Sequence, residues 1–188
     1  MRKIIVSMHM TLDGFVAGQN GEMAWIRFDD EMFDLVGKIT DEADTALYGR
    51  VTYEMMNSYW PTAGEQPNAS KHDIKHSRWY NQSLKVVLSK TINASGLSKT
   101  QIIKDNLVQN ITNLKEEGNK NIMIFGSATA THSLFNEELI DEIWLFVNPV
   151  VIGQGIPMFK GIKATTSLTL IESKQFACGV VGLHYSKK

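Results

Sequence analysis

Three short turns in this sequence carry residue types that hold phosphate groups. Gly49-Arg50-Val51-Thr52, Leu88-Ser89-Lys90-Thr91 and Phe125-Gly126-Ser127-Ala128-Thr129 each follow a short apolar run. Glycine lets a ligand approach the backbone closely. The free N–H groups at a helix start, together with the helix dipole, favour anions. Arg50 and Lys90 add positive charge, and Thr52, Ser89, Ser127 and Thr129 add hydroxyl donors. Brought together, the turns would hold an extended ligand with several phosphates, such as a dinucleotide. Taken singly, each also reads as an ordinary turn, a cap or a solvated surface cation. Their recurrence at three strand ends is what singles them out. The GxGxxG fingerprint is absent. Gly153-Gln154-Gly155-Ile156-Pro157 does not replace it, because Pro157 suits a loop better than a nucleotide-binding helix start.

Other residues could manage a proton. Asp13, Asp29, Asp30 and Glu31 are the carboxylates near the first loop, and proton delivery can use a carboxylic acid or an ordered water. Asp13 reads equally well as a turn residue bonding its own backbone. Trp25 could line a pocket or fill the core. His72 and His76 sit four apart on a polar helix, as two metal ligands would, but no third ligand is evident and no metal is expected. The nine methionines read as core filler, and Cys178 as a small buried hydrophobe.

These residues need elements to position them. The pattern predicts strands at 4–10, 45–48, 85–88, 101–104, 121–125 and 140–147. Helical spacing predicts helices over 29–41, with Asp29 or Asp30 as cap, and over 51–60, ended by Pro61. Further helices are expected over 71–82, after Asp105 as cap, and around Leu134-Phe135. Two final runs, 165–176 and 179–185, read as an antiparallel hairpin. Strand–helix alternation predicts a mostly parallel sheet flanked by helices, with antiparallel strands at one edge. Such sheets bind ligands outside the carboxyl ends of their strands, where the three turns fall.

Composition narrows the class. The 188 residues suit one domain over 1–188 with a sizeable core. A net charge of -1 argues against a nucleic-acid partner. No apolar run is long enough to cross a bilayer, and a first strand explains the N-terminus better than a signal peptide does. The expectation is a cytoplasmic protein with no membrane partner and a small-molecule substrate. A single cysteine excludes an intrachain disulfide and a multi-cysteine zinc cluster.

The segments LYGRVTYEMM (47–56), VVLSKT (86–91), MIFGSATATHSL (123–134) and LIDEIWLFVNPVVIGQGIPMF (139–159) occur in that order, after the opening SMHMTLDGFVAG (7–18). Together they resemble the dihydrofolate-reductase-like superfamily. Within it they resemble the group containing the reductase domain of the bacterial riboflavin-biosynthesis deaminase-reductase. The resemblance implies an α/β three-layer fold and an NADPH-dependent reductase acting on a ribosylaminopyrimidine phosphate or a pterin. The alternative is an NADP(H)-binding protein without turnover.

By position, Gly49, Arg50 and Thr52 would lie near the phosphates. Arg50, Ser89 and Lys90 would favour the adenosine 2'-phosphate, with Leu88 beside them. Phe125, Gly126, Ser127, Ala128 and Thr129 would cover the pyrophosphate. The resemblance points to Asp13 or Asp30 as the catalytic carboxylate, and to a homodimer. A phosphorylated substrate would need cations beyond those used by NADPH. Arg27 and Arg78 are the spare ones, with Arg27 and Trp25 assigned to the substrate side. The zinc signature of a deaminase half is missing.

Overall fold

Strand residues here are apolar at odd and even positions alike, the pattern of a sheet covered on both faces. A computed structural model of the chain describes residues 1–92 and 97–187. Its main sheet contains β1 (Ile4–Thr11), β3 (Ala43–Gly49), β4 (Leu84–Leu88), β5 (Thr100–Ile103), β6 (Asn121–Phe125), β7 (Glu142–Asn148), β9 (Leu168–Gln175) and β10 (Val181–Lys187). The order is β5-β4-β3-β6-β1-β7-β10-β9. From β5 to β7 every pairing is parallel. The hairpin β9–β10 then joins antiparallel to β7. Both the mostly parallel sheet and the terminal antiparallel hairpin are as expected.

Helices cover both faces. Ile4, Val6 and Met8 of β1, Ile122 and Ile124 of β6, and Ile143 and Leu145 of β7 face one way. They form a largely aliphatic core with α4 (Leu107–Glu116) and α5 (Ala128–Asn136) through Ile111, Leu114 and Leu134. The alternate residues Ile5, Met123, Phe125, Trp144 and Phe146 face the other way. That core is rich in aromatic rings. Its cover is α1 (Asp30–Asp41), α2 (Arg50–Ala63) and α3 (Lys71–Gln82), through Met32, Tyr53 and Tyr80.

Three local expectations change. α2 runs past Pro61 to Ala63. Proline falls in its last turn, and packing on α3 outweighs the lost hydrogen bond, with Asn81 Nδ2 donating to the Pro61 carbonyl at 3.0 Å. The cap of α4 is Asn106 rather than Asp105, in the left-handed region (φ 47) that asparagine tolerates. Two short strands, β2 (Phe15–Ala17) and β8 (Ile156–Pro157), form a separate antiparallel pair. They are too short to leave a periodic signal. Gly155 permits the pairing, because a Cβ there would collide with the Ala17 carbonyl.

The edge of the sheet where the parallel strands begin is closed by charge. The buried Arg2 guanidinium donates to the carbonyls of Leu114, Glu117 and Lys120, to Thr45 Oγ1 and to the Asp44 carboxylate. Lys115 Nζ meets Asp141 at 2.7 Å. Lys3 Nζ and His184 Nε2 meet Glu142 at 2.6 and 3.0 Å. No helix among the described residues is long and apolar enough to cross a membrane.

Candidate active site

The strand order places β4, β3 and β6 side by side, so the three turns assemble on one edge. Gly49 pairs with Leu88 across β3 and β4. On the other side, Gly49 N–H donates to Ser127 Oγ at 2.7 Å. Gly126 (φ 63) and Ser127 (φ 60) are both left-handed, which turns the chain from β6 into α5. Both α2 and α5 begin here, and neither has a side-chain cap. Gly49 has no side chain to offer, and the Ser127 hydroxyl is engaged by Gly49. The N–H groups of the first helical turn have no intrahelical partner, so two helix starts present donors at adjacent strand ends. By contrast, α1 is capped by Asp29, and α3 by a Ser70–Asp73 capping box.

Charge and hydroxyls flank this cradle. Arg50 pairs with Glu54 one helical turn on, at 2.8 Å, with both side chains about half exposed. Ser89 Oγ accepts from the N–H groups of Thr91 (3.2 Å) and Ile92 (3.1 Å) and lies 3.4 Å from the Thr91 hydroxyl. Lys90 is exposed.

Beside the cradle lies a cleft of about 380 Å³. Ser7, Met8 and His9 of β1 and Phe125 of β6 form its floor. α1, α2 and α3 supply walls, and the first loop lies over them through Met23, Ile26 and Phe28. Phe33 and His72 stack at 4.0 Å between ring centres, and Trp60 and His76 pack at 4.1 Å. Trp60 Nε1 donates to Met56 Sδ at 3.1 Å. No Asp, Glu, Lys or Arg is among the described lining residues. Burial pushes His9 down to about 4. Burial, helped by the neighbouring His72, pushes His76 down to about 3. Burial also lowers His72. The histidines of the cleft are therefore uncharged at neutral pH.

The sequence profile of the RibD C-terminal domain matches residues 2–182. The chain belongs to the RibD C-terminal domain family. It is 34% identical to YyaP of Bacillus subtilis, itself uncharacterised, over 98% of this chain and 94% of YyaP. It is 28% identical to YwjB of the same organism, also uncharacterised, over 98% of this chain and 97% of YwjB. The fold is similar to that of a riboflavin biosynthesis protein from Shewanella sp. PV-4, with TM-score 0.77, 21% identity and 99% of each chain covered. It is also similar to the diaminohydroxyphosphoribosylaminopyrimidine deaminase/5-amino-6-(5-phosphoribosylamino)uracil reductase of Thermotoga maritima. There the TM-score is 0.69 at 15% identity, covering 100% of this chain and 57% of that one. These structural likenesses establish the fold.

Of the residues singled out by sequence, Thr52, Phe125, Gly126, Ser127 and Ala128 line the cleft. Gly49, Arg50, Leu88, Ser89, Lys90 and Thr129 lie along the same strand-end edge, outside it. The structure does not bring Asp13 or Asp30 to the cleft. The Asp13 carboxylate instead accepts from Gly153 N–H (2.7 Å) and Ile152 N–H (3.2 Å), which bind it to the turn after β7; the Thr11 side chain first, and then these N–H groups, hold its pKa down against its partial desolvation. Asp30 is an exposed first-turn residue of α1, and Asp29 is the cap.

Trp25 and Arg27 do not line the cleft either. Trp25 is half-buried, and its indole N–H has no partner among the described residues. Arg27 is exposed and is held through its backbone N–H by Asn148 Oδ1 at 2.8 Å. Sequence reasoning missed His9, Phe33 and Trp60 as lining residues. It also read the methionines as filler, whereas five of nine (Met8, Met23, Met32, Met55 and Met56) line the cleft. The four-residue spacing of His72 and His76 did mark one helix face. That face meets Phe33 and Trp60, and no cluster of three metal-ligating side chains occurs among the described residues.

Proposed function

We propose that the chain is a reductase that uses NADPH to reduce a small heterocycle. Membership of the RibD C-terminal domain family supports a reductase-type function. The observation that carries the cofactor is the pair of uncapped helix starts meeting at adjacent strand ends beside an apolar cleft. Gly126, Ser127, Ala128 and Thr129 suit a pyrophosphate at the start of α5. Gly49 and Thr52 approach it from the start of α2. Arg50, Ser89 and Lys90 suit a 2'-phosphate at the outer end, past Leu88.

When bound there, the dihydronicotinamide supplies a hydride, a proton with two electrons, to an electrophilic ring carbon. The π pair of the bond being reduced moves to the attached nitrogen or oxygen, which takes its proton from water. The chain's part is to orient the rings, exclude bulk water through the apolar walls, and hold the phosphates. Calorimetry should show NADPH binding more tightly than NADH. Steady NADPH consumption with a cyclic imine or lactam should follow. Failure of the folded protein to bind NADPH overturns the proposal. The lack of a carboxylate among the described cleft residues favours a second reading, an NADP(H)-binding protein without turnover. Binding without consumption across such substrates would select it.

We also propose a homodimer. β9 is an edge strand, and it exposes Leu170 and Ile171, each about half accessible. A monomer mass that does not change with concentration would remove this proposal.

A further inference from the structure

We propose that His9 is the hydrogen-bond donor that meets the substrate's reducible bond, and that Asn148 is the residue that fixes its tautomer. The donor rests on the hydrogen bonds around Asn148. The reaction it would serve rests on the reductase reading above.

Backbone groups set the roles. Asn148 is fully buried at the end of β7. Its Oδ1 lies 2.8 Å from the Arg27 N–H, a group that only donates. Its Nδ2 lies 3.0 Å from the Phe146 carbonyl and 3.4 Å from the Met10 carbonyl, groups that only accept. One orientation of the amide satisfies all three. The same Nδ2 lies 3.3 Å from His9 Nδ1. An amide nitrogen cannot accept, so Nδ1 is the acceptor of that pair. A neutral imidazole carries its proton on the other nitrogen, Nε2. Burial pushes the His9 pKa down to about 4, which keeps the ring neutral. Stacking on Phe146, at 5.1 Å between ring centres, restrains its rotation.

The donor is open to a ligand. His9 lines the cleft floor, and Nε2 has no hydrogen-bond partner among the described residues. Nor is Nε2 one of their fully buried, unpaired atoms. Its place is just past the phosphate cradle. The Ser7 carbonyl accepts from Gly126 N–H at 3.2 Å, and His9 follows on the same face of β1, about 7 Å further along the strand. Asn148 also anchors the first loop at Arg27, between the lining residues Ile26 and Phe28. The donor and the loop over it therefore share one anchor.

This geometry supplies a group that the cleft otherwise lacks, since no carboxylate is among its described lining residues. As hydride reaches the ring carbon, the π pair moves onto the attached nitrogen or oxygen. The Nε2–H hydrogen-bonds that atom while charge grows on it, a task that a neutral imidazole can perform. The imidazole keeps its proton, and water protonates the product.

NMR of the 15N-labelled protein tests the tautomer, with signals assigned through His9→Phe. His9 should be protonated at Nε2 and bare at Nδ1. Quinoxalin-2-one has a reducible C=N bond whose nitrogen accepts, and adding it should shift the Nε2–H signal. By equilibrium dialysis, His9→Phe should bind this probe about 2- to 12-fold more weakly, the equivalent of one neutral hydrogen bond. His9→Gln, which returns an amide N–H, should restore most of that affinity. His9→Phe strands no donor, because Asn148 Nδ2 keeps the Phe146 and Met10 carbonyls, and NADPH affinity should not change. In turnover of quinoxalin-2-one, His9→Phe should lower kcat by about 100- to 1,000-fold, with KM rising no more than affinity falls.

A proton on Nδ1 overturns the inference. So does an Nε2–H signal unmoved by excess quinoxalin-2-one, or equal affinity for it in His9→Phe. A loss of NADPH affinity in His9→Phe would give the donor to the cofactor and overturns the inference too. Binding through His9 with no NADPH oxidation defeats the reductase reading alone. NADPH oxidation at an unchanged rate in His9→Phe defeats this inference alone.

Discussion

The two edges of the main sheet are built on opposite principles. Where the parallel strands begin, charges are paired. Arg2, Lys3 and Lys115 meet Asp44, Glu142 and Asp141, and Arg2 also takes carbonyls from the end of α4. Where the strands end, two helices start without side-chain caps and the adjoining cleft carries no charged side chain among the described residues. The first edge leaves few donors or acceptors unmet and contributes stability. The second leaves backbone donors and neutral rings open to a ligand. Uncapped helix starts cost roughly 1 kcal/mol each relative to capped ones.

The largest expected effect tests this division. Arg2→Met removes a guanidinium that is 6% exposed and leaves carbonyls and the Asp44 carboxylate without it. The carbonyls of Leu114, Glu117 and Lys120 lose their donor, at about 1–3 kcal/mol for each left buried and unmet, to be read as a lower urea midpoint. Affinity for NADPH should be unchanged in the protein that remains folded. A parallel loss of cofactor affinity would show that the two edges are coupled.

The next effect lies at the open edge. Arg50→Ala should weaken NADPH by about 10- to 150-fold, the equivalent of 1.5–3 kcal/mol for a charge-assisted contact, and NADH far less. Stability should hardly move, since Arg50 is exposed and paired only with Glu54. Equal losses for both cofactors would take the 2'-phosphate away from Arg50.

Acid separates the edges by pH. His9 and His76 have folded pKa values near 4 and 3, below the ordinary 6.5. The unfolded chain therefore takes up their protons first. Their stabilising contribution is complete above about pH 6.5 and is lost as pH falls toward 4 and 3, at about 1.4 kcal/mol per pH unit for each group. Burial raises the Glu142 carboxyl, but hydrogen bonds from Lys3 and His184 outweigh that and hold it below its usual 4.5. Its contribution is complete above about pH 4.5 and is lost as pH falls through its lowered folded value. Between pH 6.5 and 5 the cleft histidines should dominate the decline. His76→Phe should take about 1.4 kcal/mol per pH unit off the slope there, leaving that of His9, and an unchanged slope would show that His76 is charged in the folded protein.

Much of the open edge was legible in the sequence because each turn is a contiguous motif. Gly49-Arg50, Ser89-Lys90 and Gly126-Ser127 each sit between an apolar run and a change of period, and a parallel sheet must gather such ends. The cleft was less legible because its walls come from separate helices. Met55, Met56 and Trp60 of α2 become a binding surface only when α3 brings His72 and His76 against them. A methionine or histidine on a helix face looks the same in sequence whether it meets core or cavity. Asp13 misled for the converse reason. A carboxylate in a loop is a plausible acid until the loop 140 residues on supplies two backbone donors that hold it in place. The exact extent of α2 was hidden too, since local preference stops it at Pro61 and tertiary packing carries it on.

The smallest effect asks whether the open edge differs in kind from the closed one. At the closed edge one member of each pair is buried (Arg2, Glu142 and Lys115, at 6, 11 and 10% exposed), so removing its partner strands it. At the open edge, Arg50 and Glu54 are 45% and 51% exposed, and such a pair contributes about 0–1 kcal/mol. An ion pair that weak should be exchangeable, with Glu54 holding the guanidinium until a phosphate displaces it. Glu54→Gln removes the competitor. NADPH affinity should then rise by no more than about fivefold, the equivalent of 1 kcal/mol, with NADH unchanged and the urea midpoint within error. The gain should vanish in Glu54→Gln combined with Arg50→Ala, because the carboxylate acts only through the arginine. A gain that survives the double substitution would mean that Glu54 repels the cofactor directly. The pair would then be a simple surface bridge, and the 2'-phosphate would have to be held by Lys90 and Ser89.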